Sequence, residues 1–451
     1  MGFSEIPPPP ELDPGQDLPV IRTRPPGPQS RTWLTRMARV AAPMGPAPTQ
    51  DLTRVVKSSA PPHTIVYSTA KGCNVIDVDG NRYVDFAAGF GSLLLGHAHP
   101  RVLMALELQS KRLLQGLGDV FPSEPKIALM ERLAELSRES ERGVILGQSG
   151  ADAVTAALKS ALLYTGKPGV IAFEGAYHGL SYAPLAACSF RPSYREPFAP
   201  QLGSHTRFIP FPSNQSEAEL SLERLRLELS QGDVGAVLFE PIQGRGGCVV
   251  PPEGFIDELL RLCARSDALS IADEIWTGLG RTGSWLASES DTASPDLLCL
   301  GKGLGGGLPI SACIGRTHVL AAWQRSEEVV HTSTFAGAPL ACTTALSTLD
   351  ILRRDDLPER ARVLGEQTLE RLRDRFADHP KVREVRGRGL MLGIDLGAEP
   401  GAASRVARRL LERGFLTTTG GGLREVLVLT PPLLIADSLL SALMDALSEA
   451  L

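Results

Sequence analysis

Between residues 89 and 328, short apolar runs rich in strand-forming residues alternate with stretches whose apolar positions recur at helical spacing. The runs are 143–146, 169–173, 234–239, 269–272, 297–300 and 311–315. Strands covered on both faces read as continuous apolar runs, so the alternation predicts a mainly parallel sheet wrapped by helices. Upstream, 65–66, 74–79 and 83–86, with an Asp79-Gly80 turn, predict a small antiparallel meander. Residues 30–40 (SRTWLTRMARV) place Trp33, Leu34, Met37 and Val40 at helical spacing and predict a short amphipathic helix. Beyond His331 the pattern changes to helices over 336–353 and 360–376, a strand over 391–396, a helix over 402–413, and a last strand and helix. That is a second, smaller α+β domain. The expected division is a proline-rich arm (1–30), an N-terminal segment packing with the small domain (31–90), a large domain (91–330) and the small domain (331–451).

Composition narrows the class of activity without naming one. The chain has 451 residues, 43% hydrophobic and 22% charged, enough for a large buried core. A net charge of −5 and the lack of a Lys/Arg run speak against nucleic acid or an anionic membrane as partner. Seven cysteines, scattered and never at metal-ligand spacing, suit a reducing compartment and no metal site. The N-terminus carries Pro7 to Pro10 in place of a basic region followed by an apolar stretch, and no run of about 18 apolar residues occurs later. A cytoplasmic protein acting on small molecules is expected.

Three features fall at strand ends, where ligands gather on open parallel sheets. Gln148-Ser149-Gly150-Ala151 follows one strand and opens a helix over 151–164, so its amides could hold a phosphate; the plain alternative is an ordinary N-cap. Asp273-Glu274 ends an apolar strand, which leaves Asp273 either paired or functional. Lys302 lies in the glycine loop 301–307, where missing side chains let a bulky planar group approach; the alternative is a solvated turn. Together they match the needs of pyridoxal 5′-phosphate (PLP) chemistry: a lysine to form the imine, an acid to keep the pyridine nitrogen protonated, and a helix N-terminus for the phosphate.

The chain resembles the class III (ω-type) aminotransferases. The segments that carry the resemblance lie between Asp79 and Leu434 and include AGFGSLLLGHAHP, SGADAV, AYHG, FEPIQGRGG, ADEIWTGLGRTG, LGKGLGGGLPIS, HTSTFAGAPLAC and VRGRGLMLGIDL. The resemblance implies fold type I of the PLP enzymes: a large α/β domain with a mainly parallel, seven-stranded-type sheet between helices, plus a smaller α+β domain. It implies a homodimer with shared active sites, and transfer of a primary amino group to an oxo-acid by a ping-pong route through a Lys302 Schiff base. By resemblance, Tyr177 stacks on the cofactor ring, Thr334 reaches the cofactor phosphate of the neighbouring subunit, and Glu240 and Gln243 lie beside cofactor and substrate. The cofactor residues expected are then Ser149, Gly150, Ala151, Tyr177, His178, Glu240, Asp273, Trp276, Lys302 and Thr334, and the substrate residues Arg245, Gln243 and Phe90.

Four places depart from the pattern. The EPIQG loop usually continues with a glutamate that pairs with an arginine before the C-terminal Pro-Pro; here the two places hold Arg245 and Val428. Arg245 is therefore an anchor for a substrate carboxylate in its own right, or a solvent-facing loop arginine, and Arg424 is a second candidate. Trp276 stands where Gln, Met or Val is usual, Ala151 where Ser or Thr is frequent, and Ala338 in place of an Asn. None of these touches Lys302 or Asp273. Two other outcomes stay open on the motifs: an amino-acid racemase, epimerase or aminomutase on the same scaffold, and a non-catalytic partner protein that kept the fold.

Overall fold

The computed structural model describes residues 15–42, 64–290, 292–325 and 327–451. Its centre is a seven-stranded sheet in the order Arg142–Gly147, Ser311–Arg316, Leu297–Leu300, Leu269–Asp273, Val234–Phe239, Gly169–Phe173, Thr206–Ile209. All neighbours are parallel except Ser311–Arg316, which is antiparallel to both flanking strands. The three middle strands are buried along their whole length, as their continuous apolar runs require. At about 1.5–3 kcal/mol for each large aliphatic side chain withdrawn from water, they form a rigid platform for whatever sits on their ends. The helix Gly150–Thr165 lays Ala153, Ala156, Ala157 and Ala161 against Leu238, Ile271 and Leu297 of the sheet. Alanine on that face lets helix and sheet approach closely.

The seventh strand, Thr206–Ile209, is absent from the apolar runs of the sequence. It is four residues long and lies at the edge, where Arg207 can turn to Glu228 (3.1 Å) and Asp233.

Both ends of the chain build the remainder. The meander is Tyr67–Lys71, Asn74–Asp77 and Arg82–Asp85, and Phe415–Leu416 from far along the chain pairs in parallel with its last strand. The first strand begins later than the 65–66 expected because its residues are mostly exposed and polar, without an apolar run to mark it. A four-stranded antiparallel sheet joins Glu384–Arg388, Met391–Asp395, Val426–Leu429 and Thr418–Gly420. The helices Pro339–Arg354, Leu357–Phe376, Ala402–Glu412 and Asp437–Ala450 pack around it.

The part of the proline-rich arm from residue 15 onward lies on this chain's own meander. Val20 bridges to Arg82, and the Asn81 side chain accepts the amides of Arg22 (2.8 Å) and Thr23 (2.9 Å). Asp79 accepts the Gln29 and Ser30 amides and so caps the helix Pro28–Ala38. Pro7 to Pro10 lie outside the described residues.

Candidate active site

Asp273 is the last residue of its strand and is buried. One carboxylate oxygen lies 2.7 Å from Nδ1 of buried His178, and the other accepts the Ile275 amide at 3.1 Å. A carboxylate offers about four lone-pair sites, so acceptor capacity remains for a cationic partner. Beside it, buried Glu240 accepts the amides of Tyr177 (3.0 Å) and Gly244 (3.1 Å). Burial, with a contribution from the Asp273 charge, pushes the Glu240 carboxyl up to about 7, against the opposing pull of His178. Tyr177 is thus held by its own backbone on Glu240, with its ring edge-on to Phe190 and Tyr194, each 6.3 Å between centroids.

The strand Leu297–Leu300 runs parallel to Leu269–Asp273 with Cys299 opposite Asp273, so Lys302 emerges three residues past the level of the acid. It opens a single 3₁₀ turn, Lys302–Gly305, with φ of 38°, a left-handed conformation rare for a residue with a side chain. Gly303 is required there, because a Cβ would stand 2.4 Å from the Leu94 side chain. The Lys302 amine lies 4.3 Å from the centre of the Trp276 ring, so this departure does touch the lysine, contrary to the sequence reading; among the described residues the amine has no hydrogen-bond or ion-pair partner. Burial lowers it to about 8, with Asp273 and Glu240 opposing and Arg245 assisting the shift. An amine poised there is neutral and nucleophilic within reach of neutral pH. The Trp276 indole nitrogen is likewise buried without a partner.

Ser149 is the N-cap of Gly150–Thr165: its hydroxyl accepts the Asp152 amide at 3.3 Å, while the Asp152 carboxylate takes the amides of Gln148 (3.0 Å) and Ser149 (2.9 Å). The cap occupies one acceptor site of the Ser149 hydroxyl and leaves its O–H free to donate. It leaves over the Gly150 and Ala151 amides, the first-turn donors that no helical carbonyl can reach. Thr334 is exposed; its carbonyl accepts from Gln115 at 2.6 Å, and Gln148 bonds the adjacent Ser333 hydroxyl. A cleft of about 740 Å³ runs from this corner along the edge strand Arg142–Gly147, lined among others by Asp152, Trp323, His331 and Ser333.

The sequence profile described as Aminotransferase class-III matches residues 55–451. The chain belongs to the class III aminotransferases. It is 37% identical over 381 residues to the acetylornithine aminotransferase of Methanopyrus kandleri, covering 84% of this chain and 92% of that one. It is 34% identical over 445 residues to the 4-aminobutyrate aminotransferase of Mycobacterium tuberculosis, with 92% and 97% covered. Among solved structures, the ornithine aminotransferase of Toxoplasma gondii superposes with a TM-score of 0.81 at 30% identity over 93% of this chain and 94% of that one. A PLP-bound amine transaminase from an uncultivated Pseudomonas species gives 0.81 at 28% identity, over 91% and 99%. This class III aminotransferase uses PLP, and its residues fit that cofactor: an unpaired amine, an acid with spare lone pairs one strand away, and two free amides at a helix start.

The residues expected for substrate are dispersed in this aminotransferase. Gln243 is buried and spends its amide on the Glu174 carbonyl at 2.8 Å, with Gly175 and Gly246 packed on its oxygen, so it pins the loop. Phe90 is 57% exposed and left-handed (φ 57°), next to Gly91, whose α-carbon faces the Trp276 indole. Arg245 is not solvent-facing: its guanidinium lies over the rings of Tyr177 (5.5 Å) and Phe190 (5.2 Å), and its Nε is buried without a partner. Arg424 is exposed on its hairpin. Val428 is buried with Ile242, Cys248, Trp276 and Met391, an apolar cluster in which an arginine would have no partner. The Ala151 methyl packs toward Gly179, and Ala338 precedes Pro339–Arg354 without a side-chain cap. Phe190, Arg191 and Tyr194, which complete the wall around Tyr177, carry no motif that sequence reading could single out.

No helix among the described residues is long and apolar enough to cross a membrane.

Proposed function

We propose that this protein moves a primary amino group from the terminal carbon of an amino acid, a diamine or a larger amine to an oxo-acid, in two half-reactions at one site, with Lys302 and Asp273 as catalytic residues. When bound, PLP supplies an aldehyde that takes over the amino group and a ring that accepts the electron pair left on the substrate carbon. The Lys302 amine carries the proton to and from that carbon, a task suited to a group poised near 8. Asp273, oriented by His178, would favour positive charge on the cofactor's ring nitrogen. Tyr177 would cover the ring and the Gly150 and Ala151 amides of the Ser149 turn would hold the phosphate, while Trp276 narrows the space beside Lys302.

Arg245 anchors a substrate carboxylate, with Phe90 and Gln243 at the margins. Thr334, exposed in the single chain, serves the phosphate of a second subunit, so the working form is a homodimer. The cytoplasm is the proposed compartment, in keeping with seven buried, free cysteines. A terminal amine as donor is supported by relatives named for acetylornithine, ornithine and 4-aminobutyrate.

The observation that carries the proposal is the partly buried, unpaired, downshifted amine of Lys302 one strand away from Asp273. The test supplies PLP-loaded enzyme with one amine and no acceptor. One equivalent of oxo product per site is expected, then arrest until an oxo-acid is added. Lys302→Ala should slow this burst by about 10²- to 10⁴-fold. Return of the amine inverted or migrated, with no oxo product, would instead identify a racemase or mutase.

A further inference from the structure

Two arginines of this chain pack against the ring of Phe190, and neither has a carboxylate within ion-pair distance among the described residues. The Arg245 guanidinium carbon lies 5.2 Å from the centre of the Phe190 ring and that of Arg191 lies 4.6 Å from the same centre, so the two charges are less than 10 Å apart. Phe190 is buried, stacked on Tyr194 and edge-on to Tyr177, which fixes the wall on which both side chains rest. The two are also tied through the backbone: Arg191 donates to the Gly421 carbonyl at 2.8 Å, and the Gly421 amide donates to the Arg245 carbonyl at 2.9 Å. Gly421 has φ of 82°, and a Cβ there would strike the Glu425 carboxyl at 2.4 Å, so the clasp depends on glycine.

What the arginines lack is an anion. The Nε atoms of both are buried without a hydrogen-bond partner, and among the described residues no carboxylate lies within ion-pair distance of either guanidinium. The nearest acid on the hairpin, Glu425, turns to the Leu423 amide at 2.8 Å. Burial, then the charges of Arg424 and Arg245, hold Arg191 below the ordinary arginine value, with Tyr194 and Glu425 opposing. A buried N–H donor without a partner is costly, and two partly buried guanidiniums, each with a free Nε, offer an arriving anion charge-assisted hydrogen bonds that no protein group now takes. One end of the pair reaches the reaction centre, since Arg245 bears electrostatically on Lys302 and lies over Tyr177. The other end lines a separate cleft of about 420 Å³ with Ser189 and Arg195.

We propose that Arg191 and Arg245 form one anion subsite that selects substrates carrying two negative charges on the end remote from the reacting amine, as a phosphate-type group or a pair of carboxylates. The inference rests on the aminotransferase site described above and adds a specificity-determining residue, Arg191, and the charge of the group it reads.

The experiment uses PLP-loaded enzyme and unreactive probes that share a butyl chain: butyl phosphate, butylmalonate, valerate and valeramide. A phosphate ester carries about −1.5 to −2 at pH 7, valerate one charge and the amide none. Dissociation constants are read from the absorbance change of the bound cofactor, so no amine transfer is needed. The expected result is that at least one dianion binds about tenfold or more tighter than valerate, the gain of one added charge-assisted hydrogen bond; which of the two does so tells phosphate from dicarboxylate. Arg191→Gln should bring that ratio toward one, and Arg191→Lys should restore part of it. Equal affinity for dianions and valerate, or a ratio unchanged in Arg191→Gln, overturns the proposal. So does an equal loss across all four probes, the signature of a structural role. Because the probes lack an amine, a failed amine-transfer burst would count against the proposed reaction alone.

Discussion

The amine of Lys302 is set by its neighbours, and their signs make a test. Burial lowers it to about 8, Asp273 and Glu240 act upward, and Arg245 acts downward. In the cofactor-free protein, the rate of PLP capture should rise with pH through about 8 as the ammonium loses its proton. Removing the positive neighbour in Arg245→Gln makes the ammonium easier to keep, so the midpoint should move up; Glu240→Gln should move it down. Stopped-flow capture rates between pH 6 and 10 decide this, and an unmoved midpoint in both variants would show that neither Arg245 nor Glu240 sets the value, leaving burial and Asp273. The positions of Lys302 and Asp273 could be read from the sequence, Asp273 as an acid ending a fully apolar strand and Lys302 by the glycine loop that follows the next one. That of Arg191 could not, since it depends on Phe190 and on a hairpin some 230 residues away, and no local pattern encodes that meeting. Arg245 could be flagged by residue type, yet whether it faced solvent or the site needed the fold.

Between elements, the turn after Leu269–Asp273 is buckled to the C-terminal sheet by Arg281. This side chain is fully buried, and its Nη1 donates to the carbonyls of Leu390 (2.9 Å) and Pro431 (2.5 Å), while the Leu390 amide returns a bond to the Arg281 carbonyl at 3.0 Å. Burial pushes its pKa down to about 9. Arg281→Met would keep most of the volume and remove a buried charge whose Nε and Nη2 have no partner, but it would leave two buried carbonyls unpaired, for a net cost of about 1–3 kcal/mol. A urea midpoint change corresponding to less than about 1 kcal/mol would show that the buckle is dispensable. Sequence reading found the helices and the inner strands because their apolar spacing is dictated by burial on one face or on both. It missed Thr206–Ile209, Glu384–Arg388 and Thr418–Gly420, short strands with many polar or glycine positions and no apolar run to mark them, the last two paired with the strand that follows each in the chain. Such strands are specified by the pairing that receives them.

At the scale of the whole molecule, the single chain exposes an apolar face beside its own site. Leu114, Leu117, Val120 and Phe121 stand out between Pro100–Ser110 and Glu124–Ala134, with Val120 70% and Phe121 69% accessible. The same segment is tied to Thr334 through Gln115, and Phe335 is exposed next to it, so the apolar residues and Thr334 belong to one face. Apolar surface of this kind marks an interaction site, and in the homodimer proposed above it is the face that a second copy covers, with Thr334 at its edge. Sedimentation should therefore find a dimer, and Leu117→Asp with Phe121→Asp should give a monomer that releases PLP about tenfold faster, the loss of one charged hydrogen bond. Thr334→Ala supplies the control, because it should lose the cofactor to a similar degree without dissociating. A wild-type monomer with a full complement of PLP and normal turnover would refute the shared site, and a dimeric Thr334→Ala with unchanged PLP retention would leave the dimer standing but remove Thr334 from it.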